Sequence, residues 1–203
     1  MRHAMVIDTI KCMGCHACTI ACKQANATPP GVFWNRVYTR EEGVYPNARL
    51  IFLPALCMHC EDPPCLPVCP TGATHRLDNG IVKVDKDKCI GCRVCMFACP
   101  YSARYFQDGE SDSYYPEAGP SPYEKTRCGE HATGTVEKCD FCSERVEDGQ
   151  EPACVEVCPT KARTFGDMDD PESDVSRKIK EQKGSHLKPE LETNPAVYYL
   201  QDD

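Results

Sequence analysis

No apolar run in this sequence is long enough to cross a bilayer. A span needs about 18 or more consecutive apolar residues, and the longest candidate, Leu50 to Leu56, is interrupted by Pro54. Aromatic residues are scarce at 8%, with a single tryptophan, and the apolar fraction is 41%, so 203 residues share a modest core. Positive charge is also in deficit: 23 basic against 31 acidic residues leave a formal charge of −8. That balance disfavours nucleic acid and anionic lipid and suits basic protein partners. Gly-rich phosphate loops, Ser-His-Asp sets and flavin fingerprints are missing, which argues against a bound substrate. The opening Met1-Arg2-His3-Ala4 has neither twin arginine nor apolar leader. Membrane attachment is therefore expected only through another subunit.

What the chain has in excess is cysteine, 17 residues. All but one fall into four groups: Cys12, Cys15, Cys18 and Cys22; Cys57, Cys60, Cys65 and Cys69; Cys89, Cys92, Cys95 and Cys99; Cys139, Cys142, Cys154 and Cys158. Groups one and three have the spacing C-x2-C-x2-C-x3-C, and Pro70, Pro100 and Pro159 follow the last cysteine of groups two, three and four. This is the spacing by which bacterial ferredoxins hold cubane clusters, the fourth cysteine ligating the other cluster of a pair. A disulfide scaffold is disfavoured by the odd count, the missing signal peptide and the fixed i, i+3 repeat. Structural zinc prefers pairs of cysteines separated by a longer loop. Group four alone would suit it, but groups one and three would not.

Sixteen thiolates at four per cluster predict four [4Fe-4S] clusters. A full ligand set leaves no iron open to a substrate, so no catalytic residue is expected. Each oxidised cluster adds about two negative charges, taking the formal charge of −8 to roughly −16. Cluster binding and folding are coupled in small metal domains, so the apoprotein is expected to fold poorly.

The flanks of the groups repeat as well. Ala4-Met5-Val6-Ile7-Asp8 before group one and Ile81-Val82-Lys83-Val84-Asp85 before group three read as strands. Arg49 to Leu53 can serve likewise before group two. Ala73 to Arg76 is expected to pair back on Ile81–Val84 through the turn at Asp78-Asn79-Gly80, and Ala162 to Phe165 to pair with Ala4–Asp8. Ala17–Gln24 and Val94–Ala98 read as short helical turns that put the third and fourth cysteines on opposite sides. The fold class is α+β: two ferredoxin-like double-cluster modules related by a pseudo-twofold, with irregular insertions and a C-terminal helix and arm. One module is 1–24 plus 139–166, the other 49–106, with insertions at 25–48 and 107–138 and a tail from 167 to 203. The 107–138 segment reads as an irregular loop, either a binding surface or an inert insertion. In the tail, 169–173 marks a helix start, with a stop at Gly184. Beyond it an arm ending Val197-Tyr198-Tyr199-Leu200 docks on a partner or back on the chain.

Crossing the fourth cysteines within each module gives the ligand sets. Cluster one takes Cys12, Cys15, Cys18 and Cys158. Cluster two takes Cys57, Cys60, Cys65 and Cys99. Cluster three takes Cys89, Cys92, Cys95 and Cys69. Cluster four takes Cys139, Cys142, Cys154 and Cys22. Lys11, His16, His59, Lys88, Arg93, Arg104, Lys161 and Arg163 lie near cysteines in sequence. Each is read as a solvated surface charge, with a raised cluster potential as the alternative. Trp34 reads as packing, and Cys128 as a spare thiol.

These motifs resemble the four-cluster iron-sulfur subunit of molybdopterin oxidoreductases of the dimethyl sulfoxide reductase type. The resemblance is carried by Cys57-Met58-His59-Cys60 with Pro63-Pro64-Cys65, Cys69-Pro70-Thr71-Gly72-Ala73, Lys138-Cys139-Asp140-Phe141-Cys142 and Ala153-Cys154-Val155-Glu156-Val157-Cys158-Pro159. Phe165-Gly166-Asp167 with Asp170-Pro171-Glu172-Ser173 is similar to the polysulfide and arsenate branch. Some relatives hold a three-iron cluster at group three; the complete cysteine set here favours four cubanes. The resemblance implies a partner subunit carrying a molybdenum or tungsten pterin centre, molybdopterin being absent from this chain. It also implies a membrane quinone-linked subunit or a cytochrome at the other end of the wire. It implies an extracytoplasmic, periplasmic site reached with a partner that carries the twin-arginine signal, the cytoplasm being the alternative. A free multi-cluster ferredoxin is the competing function.

Overall fold

Strand β1 (His3–Asp8) is buried at all six positions, which explains its near-continuous apolar sequence. Its two faces serve different cores. Met5 and Ile7 point into the core that contains Cys18, Cys22, Cys60, Cys139 and Cys154, whereas Ala4 and Val6 pack with Val175, Ala196 and Leu200. This alternation is the period of two expected of a strand. The structure, a computed structural model, describes residues 1–109, 113–115, 117–127 and 131–201.

Helix α1 (Ala17–Asn26) follows, then the antiparallel pair β2 (Arg36–Glu42) and β3 (Arg49–Ala55), in register from Arg36↔Ala55 to Glu42↔Arg49. The 25–48 insertion thus holds a strand that its sequence concealed, because β2 is ArgValTyrThrArgGluGlu and largely exposed. The pair β4 (Thr74–Arg76) and β5 (Val82–Val84) forms as expected, Thr74 facing Val84. Helix α2 (Val94–Ala98) comes next.

The described residues of the 107–138 segment are irregular except for one short helix and one strand. Strand β6 (Tyr105–Phe106) pairs with β7 (Val136–Glu137), and helix α3 (Pro122–Arg127) lies between them. Its side chains meet the end of α1. Tyr123 donates to the Gln24 carbonyl at 2.5 Å, Arg127 to Ala25 at 3.0 Å, His131 to Asn26 at 2.9 Å and Tyr114 to Thr28 at 3.0 Å. Carbonyls in the last turn of a helix have no intrahelical partner, so this segment caps the helix that bears group one. Four of its side chains are thereby engaged with its own chain.

Short helices α4 (Ser143–Glu147) and α5 (Ala153–Glu156) frame group four and lead into β8 (Arg163–Asp167). Strand β8 pairs antiparallel with β1, His3 facing Asp167 and Ile7 facing Arg163. Helix α6 (Asp174–Glu181) begins at the end of the 169–173 stretch, with Ser173 as its N-cap, whose hydroxyl accepts from the Ser176 N–H at 3.1 Å. Strand β9 (Val197–Leu200) lies parallel to β1 on its other side. The arm therefore docks back on its own chain. Cys128, read as a spare thiol, lies outside the described residues. No helix among the described residues is long and apolar enough to cross a membrane.

Candidate metal centres

One backbone conformation recurs in the opening C-x2-C of all four groups. The residue before the second cysteine is left-handed: Gly14 (φ 70°), His59 (φ 43°), Gly91 (φ 66°) and Phe141 (φ 59°). For a side-chain-bearing residue this conformation costs roughly 1–2 kcal/mol. At His59 and Phe141 the cost is offset by burial and stacking on each other, with ring centroids 3.7 Å apart and planes 26° apart. At Gly91 there is no room for a side chain, since a Cβ would lie 2.0 Å from the Gly134 carbonyl oxygen. Gly91→Ala is therefore expected to lower the apparent midpoint of thermal cluster loss by several degrees more than Gly31→Ala. Gly31 has a similar φ (78°) and open space around it, so equal midpoints would dismiss the steric argument.

A second repeat follows the fourth cysteines. Gly72, Ser102 and Lys161 are left-handed at the same place in Cys-Pro-x-x. This curls backbone N–H groups onto sulfur: Thr74 N–H donates to Cys69 at 3.4 Å and Ala162 N–H to Cys158 at 3.3 Å. The Thr71 and Thr160 hydroxyls lie 3.8 and 3.7 Å from the same two thiols. Burial opposes ionisation of Cys69 and Cys158, but these hydrogen bonds outweigh it and lower both pKa values. Elsewhere burial dominates. It pushes the Cys60 thiol up to about 12 and Cys142 to about 11, and holds Cys22 and Cys139 well above the usual thiol range.

Three similar spaces open among the cysteines. One is lined by Cys12, Cys15, Cys18 and Cys158, one by Cys69, Cys89, Cys92 and Cys95, and one by Cys22, Cys139, Cys142 and Cys154. Cys60 has Cys57, Cys65 and Cys99 as its electrostatic neighbours. Among the described residues no three Cys, His, Asp or Glu side chains lie close enough for a single metal ion. The third and fourth cysteines of group one are not on opposite sides of α1. Cys18 and Cys22 are four residues apart on one helix, hence on one face and separated by about 6 Å along the axis.

The surface reading fails for three of the eight flanking cations. Arg163 is 3% exposed, and its Nη1 and Nη2 lie 3.6 Å from the sulfurs of Cys154 and Cys18. Arg104 is 4% exposed and interacts with Cys65 and Cys95. His59 is fully buried, and burial first, then Lys138 and Arg104, holds its pKa well below the usual imidazole value. Lys11, His16, Lys88, Arg93 and Lys161 are exposed as expected. Sequence reasoning missed Lys138, a buried cation whose ammonium donates to the Val82 and Cys139 carbonyls. Its place beside Cys139 was the available signal.

Buried donors test whether a sulfur-rich group fits. Trp34 Nε1 and Asn35 Nδ2 both lack a hydrogen-bond partner, and both residues line the space bounded by Cys22, Cys139, Cys142 and Cys154. Arg104 Nη2 is likewise unpartnered. Such donors are costly unless something accepts from them, and the sulfurs of a cluster do so. The donor set and the soft thiolates fit an iron-sulfur cluster.

Comparison with known proteins agrees. Two families described as 4Fe-4S dicluster domains match the chain, one over residues 48–115 and 114–168, the other over 11–73. The arsenate respiratory reductase iron-sulfur subunit ArrB of Shewanella sp. is 40% identical, over 98% of this chain and 96% of its own. A selenate reductase subunit of Mesobacillus selenatarsenatis is 45% identical, over 97% and 70% respectively. A sulfite dehydrogenase subunit of Allochromatium vinosum is 42% identical, over 97% and 82%. These matches define an electron-transfer protein of mixed α+β fold that holds four [4Fe-4S] clusters. The chain belongs to the 4Fe-4S dicluster family of iron-sulfur subunits of molybdopterin oxidoreductases, and is non-catalytic on its own.

Proposed function

We propose that this subunit passes single electrons along its clusters in the order one, four, two, three, between a molybdopterin-bearing catalytic subunit and a membrane quinone-linked subunit or cytochrome. The observation that carries this reading is the distribution of exposed ligands. Of the sixteen cysteines only Cys15 and Cys92 are exposed, one in the rim of cluster one and one in that of cluster three. Cys139 of rim four has Cys57 of rim two among the thiols that act on it electrostatically, which supports the inner contact. Exposed apolar side chains lie within five residues of both thiols in sequence: Met13 and Ile20 for Cys15, Ile90 and Phe97 for Cys92. Covering them with partners would exclude water from the terminal clusters.

A bound [4Fe-4S] cluster supplies a one-electron couple. This chain's residues hold it at fixed positions, shield it and tune its potential through charge and N–H···S bonds. Ligation is crossed within each pair, as the four rims suggest. The modules are 1–24 plus 139–166 and 49–106, related by a pseudo-twofold near the His59–Phe141 stack. The repeated left-handed residues and the matching Thr71–Cys69 and Thr160–Cys158 pairs support that relation. The complex acts on the extracytoplasmic side, exported with a partner that bears the signal.

Anaerobic purification of the native protein tests the assignment, with identification of co-purifying chains and assay of iron, molybdenum and tungsten. A stable heteromer containing molybdenum or tungsten is expected. Recovery of this chain alone, with iron and neither heavier metal, would support a free ferredoxin instead.

A further inference from the structure

Two arginines occupy one sequence frame. Arg104 stands in Cys99-Pro100-Tyr101-Ser102-Ala103-Arg104 and Arg163 in Cys158-Pro159-Thr160-Lys161-Ala162-Arg163. The same frame after Cys69 ends in Thr74, and the position five residues after Cys22 is Ala27. Each proposed module therefore contains one such arginine. Both are buried, and both reach third cysteines of two different groups. Arg163 lies 3.6 Å from the sulfurs of Cys18 and Cys154, and the charge of buried Arg104 acts on both Cys95 and Cys65. Under the crossed ligation those thiols belong to clusters one and four and to clusters three and two. The thiol sulfurs here stand for the ligating thiolates.

We propose that each pair of clusters shares one buried guanidinium as its counter-ion, Arg163 for clusters one and four and Arg104 for clusters two and three, and that this charge raises the reduction potentials of both members together. The effect is electrostatic. Reducing either cluster adds negative charge to a poorly hydrated interior, and a fixed cation that acts on both stabilises either reduced state. Arginine suits the task because its planar fork offers separate donors to separate sulfurs and stays charged. Nη1 of Arg163 addresses Cys154 while Nη2 addresses Cys18 and donates to Asn35 Oδ1 at 2.7 Å. Arg104 Nη1 is held by the Thr74 hydroxyl at 3.0 Å, while Nη2 is left without a protein partner. The shared-charge role rests on the crossed ligation proposed above.

Potentiometric EPR titration of the native complex carrying Arg163→Gln or Arg104→Gln tests it, with iron content measured in parallel. Each variant is expected to lower the potentials of two clusters and leave the other two in place, and the affected pairs are expected to be complementary. The expected shift is at least tenfold in the oxidised-to-reduced ratio at fixed ambient potential, which is about 59 mV for a one-electron couple. A shift in one cluster, in none, or in the same pair for both variants overturns the proposal. If Arg163→Gln loses iron, Asn35→Asp serves in its place: it sets a negative charge against the guanidinium with little change of shape. It is expected to lower clusters one and four together, and a shift confined to cluster four overturns the shared role. Failure of the crossed ligation would be seen separately, as loss of the wrong cluster in a Cys22 variant.

Discussion

Cys22→Ala is expected to remove cluster four and spare cluster one, although Cys22 belongs to group one by sequence. The thiol is 6% exposed and lines the same space as Cys139, Cys142 and Cys154. Burial is the main cause of its raised pKa, and Cys154 and Cys142 are the next causes. Cys12, Cys15 and Cys18 line a different space, with Cys158 as the fourth cysteine. The variant should lose about four iron atoms per chain and one EPR component. Asn26 adds a check, since its Nδ2 lies 3.6 Å from the Cys22 sulfur and 3.9 Å from that of Cys142. Asn26→Ala should lower the potential of the component that Cys22→Ala abolishes. Loss of the cluster-one component in Cys22→Ala would refute the crossing.

Tyr199→Ala is expected to destabilise the protein by about 3–5 kcal/mol, the usual cost of deleting a buried aromatic side chain. Tyr199 is 0% exposed and joins three segments. Its hydroxyl donates to the Pro54 carbonyl at 2.8 Å, and its backbone exchanges bonds with Ser185 at 2.7 and 2.9 Å. It also faces Ile7 across the parallel pair of β1 and β9. Tyr199→Phe keeps the packing and leaves one carbonyl unsatisfied, a loss of about 1–3 kcal/mol. The apparent midpoint of cluster loss should rank wild type, Phe, Ala. An alanine variant as resistant as wild type would mean that the arm contributes little to the fold.

Cysteine spacing made the clusters legible, because a cubane imposes its own geometry on the chain that wraps it. The strands beside the cysteines were legible for a related reason: Ala4–Asp8 and Ile81–Val84 are short apolar runs next to fixed points. Strand β2 was hidden because its pairing with β3 leaves most of its side chains in water, which removes the apolar alternation that marks a strand. The role of segment 107–138 was hidden because it caps α1 through Gln24, Ala25, Asn26 and Thr28, contacts about 86–105 residues away in sequence. Arg104 and Arg163 looked like surface charges because burial of a cation depends on where anions gather in three dimensions. The recurring Cys-Pro-x-x-Ala-Arg frame was the one sequence signal that could have paired them.

The central strand sets a timetable for biosynthesis. Thr9, at the end of β1, donates its hydroxyl to Leu200, 191 residues later. At about 5–20 residues per second, β1 waits on the order of ten to forty seconds for that neighbour to leave the ribosome. Residues 49–106 emerge well before then and need no strand from either end of the chain for the β4–β5 pair. Cluster delivery during synthesis can therefore begin at the middle of the polypeptide, while the apolar stretch Ala4–Ile7 remains a target for chaperones until the final strand arrives.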